Sequence, residues 1–225
     1  MSEWVIVVAG GSGTRMNTDV PKQFLPIAGM PILMHTLKAF YDYDQRIQIL
    51  IVMARQDWPM WENLCRQFKF PILAPLVSGG EERFHSVRNG INTLPGNADF
   101  VAIHDAVRPF VSPYLIHRAF KKARETGAAV PGTLISDSVR QNVNGKWRAI
   151  DRNSLVAVQT PQVFEIGMLK TAYSQGYQER FTDDASVVEE AGYEITVIEG
   201  EQRNIKITTP EDLGLARAMT RDHRE

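Results

Sequence analysis

Short apolar runs alternate along this chain with longer segments of mixed polarity. Six runs are apolar at nearly every position, and they cover residues 4–9, 47–53, 72–77, 100–104, 128–132 and 194–198. Nearly continuous apolar strands separated by helical segments are typical of a mainly parallel sheet that helices cover on both faces. We therefore predict an α/β fold, a Rossmann-like twisted sheet flanked by helices, in which ligands bind at the carboxyl ends of the strands.

Polar residues and prolines mark the starts of two helices. Ser112 before Pro113 and Thr209 before Pro210 each combine an N-cap residue with a proline in the first turn. Gly127 occupies the place of a residue just past a helix end. These positions predict one helix between Ser112 and Gly127 and another that starts after Thr209.

One segment breaks the alternation of strands and helices. Residues 138–143 and 146–151 are two short strand-like runs joined through Asn144 and Gly145, the strongest short-range signal for a β-hairpin. Because two strands alone are only marginally stable, we expect this protruding arm to pack either on the body of the domain or on a second copy of the chain.

Length and composition are those of one domain with a substantial core. The chain has 225 residues, of which 44% are hydrophobic. Its formal net charge of -1 argues against general nucleic-acid binding, which depends on a basic surface. The single cysteine, Cys65, cannot form an internal disulfide, and the sequence shows no signal-like or membrane-spanning run, so we expect a cytoplasmic location.

The first apolar run leads directly into a glycine-rich turn at residues 10–15. Arg15 at the end of this turn and Lys22 after it add positive charge. Glycines allow consecutive backbone N–H groups to point at phosphate oxygens. The turn lacks the third glycine of the dinucleotide pattern and the Gly-Lys-Ser/Thr ending of the ATP-binding pattern. A phosphate-binding loop of another kind and an ordinary tight turn between strand and helix both fit these residues.

Other candidate chemistry lies at several predicted strand ends. A glycine turn at residues 79–83, with Ser86 after it, could offer amides and a hydroxyl to a ligand or could only cap a helix. Asp105 ends an apolar strand, where it could hold a magnesium ion that bridges phosphates or could only pair with Arg108. Arg152 and Lys206 are single cations among short polar residues, a pattern that usually means a solvated charge.

Eight short motifs, several of them described above, occur along the chain in an order that resembles a known enzyme family. They lie at residues 10–16, 21–25, 79–87, 104–109, 151–153, 159–162, 182–186 and 204–208. Together they are similar to the 2-C-methyl-D-erythritol 4-phosphate cytidylyltransferases of the non-mevalonate isoprenoid pathway. The resemblance covers essentially the whole chain.

The resemblance implies a homodimeric, magnesium-dependent enzyme of the nucleotidyltransferase type. Such an enzyme joins CTP to 2-C-methyl-D-erythritol 4-phosphate, giving 4-diphosphocytidyl-2-C-methyl-D-erythritol and pyrophosphate. It also implies a single cytidylyltransferase domain over residues 1–225, with a dimerisation arm at about residues 134–153.

The resemblance further implies roles for individual residues. Arg15, Lys22, Arg152 and Lys206 would be catalytic. The nucleotide would contact Ala9, Gly10, Gly11, Ser12, Gly13, Thr14, Gly80, Glu81, Ser86 and Asp105, of which Asp105 would also lie at the metal. The acceptor would contact Asp105, Arg108, Ser138, Arg152, Thr160, Thr182 and Lys206, with Ser138 and Arg152 supplied by the partner subunit's arm. The family commonly has Thr at the place of Ser138 and Asp at the place of Glu81.

Three alternatives stay open at this point. A ribitol 5-phosphate cytidylyltransferase would share the nucleotide half of the site, although residues 151–153 and 182–186 look more like the methylerythritol enzymes. A non-catalytic nucleotide-binding module would not be expected to keep Arg15, Lys22, Asp105 and Lys206 together. A Rossmann dehydrogenase is disfavoured because the third glycine is missing and no ribose-binding acid follows about twenty residues after the loop.

Overall fold

The structure, a computed structural model, describes residues 1–10 and 20–221. The strands within those residues are β1 (Glu3–Val8), β2 (Pro26–Ile27), β3 (Met30–Pro31), β4 (Gln48–Met53), β5 (Leu76–Ser78), β6 (Phe100–Asp105), β7 (Ala128–Leu134), β8 (Val139–Val143), β9 (Lys146–Ile150), β10 (Val156–Val158), β11 (Gln162–Glu165) and β12 (Thr196–Glu199). The α-helices there are α1 (Ile32–Tyr43), α2 (Trp58–Phe68), α3 (Arg83–Thr93), α4 (Pro113–Thr126), α5 (Ile166–Tyr173), α6 (Asp184–Glu190) and α7 (Pro210–Arg221).

The main sheet has the strand order β10-β7-β11-β6-β1-β4-β5, with β12 paired to β7. Strand β1 runs parallel to β4 and β6, β4 runs parallel to β5, and β12 runs parallel to β7. Strand β11 lies antiparallel between β6 and β7, and β10 is antiparallel to β7. The sheet is therefore mixed but mostly parallel, which confirms the predicted α/β class.

The central strands are apolar at successive positions because both faces of the sheet are covered. Val5 and Val7 pack with residues of α1, α2 and α4 on one face. Ile6, between them in the chain, packs with residues of α3, α5 and α6 on the other. Alternate side chains of β1 thus belong to two separate cores, as the side-chain period of a strand requires.

The predicted helix ends are confirmed. The Ser112 hydroxyl accepts a hydrogen bond from the Leu115 amide at 3.0 Å, and Gly127 ends α4 with a φ of +87°. At the start of α7 the Asp212 amide donates to the Thr209 hydroxyl at 3.3 Å. These caps satisfy amides that would otherwise lack a partner within the helix.

Two parts of the predicted strand pattern are wrong. The run at residues 72–77 forms a strand only at Leu76–Ser78: the Pro75 carbonyl accepts from the Ile51 amide at 2.9 Å, but Pro75 has no amide to donate and Leu73 is 93% exposed. The last predicted strand starts at Thr196 rather than at residue 194. Strands β10 and β11 were not predicted, since each is short and Pro161 lies between them.

The predicted hairpin is confirmed as a two-stranded sheet of its own, formed by β8 and β9. Asn144 and Gly145 both have positive φ values, 51° and 80°, as a tight turn between right-twisted strands requires. The Trp147 side chain on this arm is 65% exposed. What the arm packs on stays a prediction.

No helix in the described part of the chain has the length and apolarity that a membrane span needs.

Candidate active site

Four strands of the main sheet end at one edge. Val8 at the end of β1 is paired with Asp105 at the end of β6 and with Val52 near the end of β4, and Met53 is paired with Ser78 at the end of β5. A cavity of about 330 Å³ lies at this edge. Its described lining consists of Val8, Ala9, Gly10, Lys22, Gln23, Glu81, Glu82, Arg83, Ser86, Asp105, Ala106, Val107 and Lys206.

The Asp105 carboxylate is the centre of the charges in this cavity. Its Oδ2 lies 3.1 Å from Lys206 Nζ and 3.2 Å from Arg108 Nε, while Oδ1 lies 3.8 Å from Arg83 Nε. Burial alone would raise the pKa of this carboxyl, but Arg83, Lys206 and Arg108 together hold it well below its usual range. Asp105 is therefore ionised at neutral pH.

A buried hydrogen-bond network behind Asp105 fixes its backbone. The Asp105 amide donates to the Thr160 hydroxyl at 3.1 Å, and that hydroxyl lies 3.1 Å from His104 Nδ1. His104 Nε2 lies 3.1 Å from the Arg108 carbonyl, which can only accept, so Nε2 carries the proton and Nδ1 accepts from Thr160. Burial lowers the pKa of His104 to about 4, and the ring is neutral with both nitrogens in use.

The segment that carries Lys206 is held against the same strand end by Asn204. This buried residue accepts from Arg108 at its carbonyl (2.7 Å) and donates from its side chain to the Thr160 carbonyl (2.8 Å). Gln159 adds a bond from its side-chain amide to the Glu201 carbonyl at 2.8 Å. Arg108 and Lys206 are thereby placed on one side of Asp105.

The glycine turn after β5 forms the opposite wall of the cavity. The Gly80 amide donates to the Ser86 hydroxyl at 3.0 Å. A Cβ at Gly80 would lie 2.4 Å from the Cβ of His85, so only glycine fits this close approach. Glu81 belongs to the same turn, and its side chain is exposed along the cavity.

Lys22 enters the cavity from a short 3-10 turn at Lys22–Phe24. The next residue, Gln23, is buried and donates from its side chain to the Ala9 carbonyl at 3.1 Å. The Ala9 amide donates to the Val52 carbonyl at 2.7 Å, so both backbone groups of Ala9 are engaged within the protein. Gln23 thus links the Lys22 turn to the end of β1, a role that its sequence position did not indicate.

The structure does not bring every predicted site residue to this cavity. Thr182 is exposed just before α6, Ser138 is exposed just before β8, and Arg152 is exposed two residues after β9, where it donates to the Ser136 carbonyl. None of these three is among the described residues that line the cavity. Thr160 is buried, and its hydroxyl is engaged by Asp105 and His104. The predictions for Gly11, Ser12, Gly13, Thr14 and Arg15 fall outside the described residues.

The chemistry of the cavity fits a divalent cation that is shared with phosphates. No cluster of three or more His, Cys, Asp or Glu that could hold a metal occurs in residues 1–10 and 20–221. The ionised Asp105 offers one carboxylate, whose Oδ1 lies 3.8 Å from Arg83 Nε, a longer distance than those from Oδ2 to Lys206 Nζ and Arg108 Nε. Magnesium is commonly held by one or two carboxylates together with substrate phosphates, so Asp105 suits such an ion and the protein alone does not complete its shell.

Comparison with protein families identifies the family to which this chain belongs. The family model for 2-C-methyl-D-erythritol 4-phosphate cytidylyltransferase matches residues 4–222. The chain belongs to this family. Similar curated proteins of that name include one from Bacteroides fragilis, 45% identical over 219 residues, which are 97% of this chain and 100% of the relative. Another, from Geobacillus kaustophilus, is 41% identical over 223 residues, 97% of each chain.

Solved structures of the family have the same fold. The 4-diphosphocytidyl-2C-methyl-D-erythritol synthase from Anaerococcus prevotii superposes with a TM-score of 0.84 at 26% identity, covering 98% of this chain and 96% of that one. The 2-C-methyl-D-erythritol 4-phosphate cytidylyltransferase from Thermus thermophilus gives 0.75 at 29% identity, covering 96% and 98%. The resemblance stated from the sequence motifs is confirmed, and so is the nucleotidyltransferase type of the fold.

Proposed function

We propose that this protein transfers the cytidylyl group of CTP to 2-C-methyl-D-erythritol 4-phosphate, giving 4-diphosphocytidyl-2-C-methyl-D-erythritol and pyrophosphate. The observation that carries the proposal is the convergence of Lys22, Ser86, Asp105 and Lys206 on one cavity at the strand ends. These residues come from four separate motifs, and membership of the family supports the same activity.

CTP lies across the cavity in this proposal. The triphosphate lies near Gly10 and Lys22, which both line the cavity, and the family resemblance adds residues 11–15 as further contacts. The cytosine faces Gly80 and Ser86, where the hydroxyl that accepts from the Gly80 amide still has its own proton to donate. A polar slot of this kind distinguishes bases because the wrong base leaves buried groups unpaired.

A divalent cation, proposed to be magnesium, would be held by Asp105 together with the phosphates of CTP. When bound it offsets negative charge on the phosphates and helps to orient them. The protein's own cations act beside it: Lys22, and Arg15 by family resemblance, stabilise the charge that develops on the α-phosphate.

The reaction needs no protein nucleophile. A phosphate monoester has a second pKa of about 6 and is largely dianionic at neutral pH, so its oxygen attacks the α-phosphorus directly. A new P–O bond forms, the bond between the α- and β-phosphates breaks, and pyrophosphate leaves with the electron pair. His104 is the histidine next to Asp105, and it is no base here because both of its nitrogens are hydrogen-bonded and its pKa is about 4.

The acceptor phosphate is proposed to bind beside Arg108, Lys206 and Thr182. Arg152 and Ser138 are proposed to reach this place from the partner subunit's arm in a homodimer. Within its own chain Arg152 donates to Ser136 and does not line the cavity, which supports a role in a neighbouring site. We also propose that residues 1–225 form a single domain, since the arm is a two-stranded sheet too small to be stable alone. A cytoplasmic location is a separate part of the proposal.

The test is an acceptor panel with pyrophosphate release as the readout. Purified protein with CTP and magnesium receives 2-C-methyl-D-erythritol 4-phosphate, ribitol 5-phosphate or no acceptor, and UTP replaces CTP in a parallel series. We expect release only with an acceptor, fastest with the methylerythritol phosphate, and faster with CTP than with UTP. Faster release with ribitol 5-phosphate would mean that ribitol 5-phosphate is the acceptor. No release with any of the substrates would mean that the protein is a non-catalytic nucleotide-binding module.

A further inference from the structure

Arg83 follows the nucleotide-side turn in the sequence, but its side chain reaches the other half of the site. It is the first residue of α3, directly after Gly79–Glu82. Its guanidinium forms a two-pronged ion pair with Asp184, in which Nη1 lies 2.8 Å from Oδ1 and Nη2 lies 2.7 Å from Oδ2. Asp184 is the first residue of α6 and lies 101 positions further along the chain.

This ion pair is built as a rigid connection. The Asp184 side chain is fully buried, and its Oδ1 also accepts from the Tyr173 hydroxyl at 2.6 Å. Two parallel hydrogen bonds fix the angle between the groups as well as their distance. The start of α6 is therefore held in one place relative to the start of α3.

The same guanidinium also faces the charged centre of the cavity. Arg83 Nε lies 3.8 Å from Asp105 Oδ1. Thr182 comes two residues before Asp184, and between them Asp183 caps α6 by accepting from the Ser186 amide at 2.9 Å and from the Gln162 side chain at 2.8 Å. One side chain thus links Asp105 to the segment that presents Thr182.

We infer that Arg83 is a positioning residue for the sugar-phosphate acceptor rather than a nucleotide-binding residue, acting through Asp184 to hold the Thr182 segment beside Asp105. The inference rests on the proposed function, since it assigns Arg83 to one of the two proposed substrates. Without this link the Thr182 segment would shift away from Asp105, so the acceptor would bind more weakly while the contacts of the nucleotide stay in place.

The test uses two variants that weaken the Arg83–Asp184 ion pair in different ways. Arg83→Lys keeps the charge but cannot make two parallel bonds, and Asp184→Asn keeps the size but removes one acceptor of the pair. Glu190→Gln is the matched control, because it removes the ion pair with Arg180 at the far end of α6. Thermal unfolding confirms that each variant is folded at the assay temperature, and the KM values for both substrates are then measured.

We expect both Arg83→Lys and Asp184→Asn to raise the KM for 2-C-methyl-D-erythritol 4-phosphate about tenfold or more, while the KM for CTP changes less than about threefold. Glu190→Gln should change neither value. Equal increases in both KM values, an increase for CTP alone, or a fall in kcat with both KM values unchanged would overturn the inference. If the parent protein shows no transfer, the proposed function fails and the inference falls with it. If only the variants fail to show the split, the inference alone is wrong.

Discussion

At the scale of single residues, the site is organised by charge around Asp105. Lys206 and Arg108 share its Oδ2 at 3.1 and 3.2 Å, and Thr160 holds its amide. Such an arrangement uses several side chains to place one carboxylate in a fixed ionised state. Lys22 enters the cavity separately, and in the proposed reaction it acts on charge that grows only as the α-phosphate is attacked.

Replacing Lys22 with Met should lower kcat on the order of a hundredfold, as loss of a preorganised electrostatic group does in other enzymes. Met keeps most of the apolar stem of Lys22, and thermal unfolding checks that the variant is folded at the assay temperature. Steady-state kinetics at saturating CTP give the value, and Lys38→Met, which removes an exposed lysine paired with Asp42 on α1, serves as the control. Near-parental turnover in Lys22→Met would remove this residue from the catalytic set.

His104 predicts how stability depends on pH. Its pKa is about 4 in the folded protein and about 6.5 in the unfolded chain. Between these values the unfolded chain binds more protons, so stability is lost as the pH falls, by about 2 kcal/mol from pH 7.5 to pH 5. Urea unfolding at the two pH values measures this, and His104→Gln should lose the share that His104 contributes, while His35, whose pKa burial also lowers, keeps its own share. Asp105 does not interfere, because its stabilisation is lost only below its unfolded pKa of about 3.9. An equal slope in the variant would show that another group is responsible.

At the scale of elements, the strand ends and the turns that follow them determine the shape of the cavity. The glycine turn after β5 lies so close to α3 that Gly80 has no space for a side chain. This turn and Ser86 on α3 form one wall of the proposed nucleotide slot.

Gly80→Ala should therefore displace the turn and raise the KM for CTP about tenfold, since its new Cβ would lie 2.4 Å from the Cβ of His85. Gly96→Ala is the matched control, because a Cβ there has no described neighbour within 4 Å. Kinetics with CTP varied at a fixed acceptor concentration check the difference. An unchanged KM for CTP in Gly80→Ala would place the nucleotide elsewhere.

Much of this element-level picture could be predicted from the sequence. The apolar runs that became β1, β4, β6 and β7 are long and continuous, and a parallel sheet places their ends together whatever their exact bounds. Strands β10 and β11 could not be predicted, because each is short and forms only through pairing with strands distant in the chain: β10 with β7, and β11 with β6 and β7.

The candidate site was predictable only in part. Lys22, Ser86, Asp105 and Lys206 stood in recognisable motifs. The connections made by Gln23, Arg83 and Asn204 depend on partners far away in the chain, to Ala9, Asp184 and Thr160 respectively. Hydrogen bonds across such separations leave no local pattern in a sequence.

At the scale of the whole molecule, the hairpin of β8 and β9 lies outside the main sheet. Among the described strands β8 and β9 pair with each other alone, and Trp147 on this arm is 65% exposed. A second copy of the chain is the proposed cover for this arm, with Arg152 completing the neighbouring site.

Mixing two inactive variants should reveal such shared sites. In a heterodimer of Lys22→Met with Arg152→Ala, one site receives both substitutions and the other receives neither, so part of the activity should return. Native mass spectrometry checks that subunits have exchanged. A mixture that stays inactive after exchange would mean that Arg152 serves its own chain.

The measurement that tests the proposed transfer most directly follows the oxygens of the acceptor phosphate. The protein converts CTP and 2-C-methyl-D-erythritol 4-phosphate carrying heavy oxygen in its phosphate, and phosphorus NMR and mass spectrometry locate the label. Direct attack on the α-phosphorus predicts that the cytidine diphosphate product keeps every labelled oxygen, including the one that bridges the two phosphorus atoms, and that pyrophosphate is unlabelled. Labelled pyrophosphate, CMP formed from water, or no cytidine diphosphate product would contradict the proposed transfer.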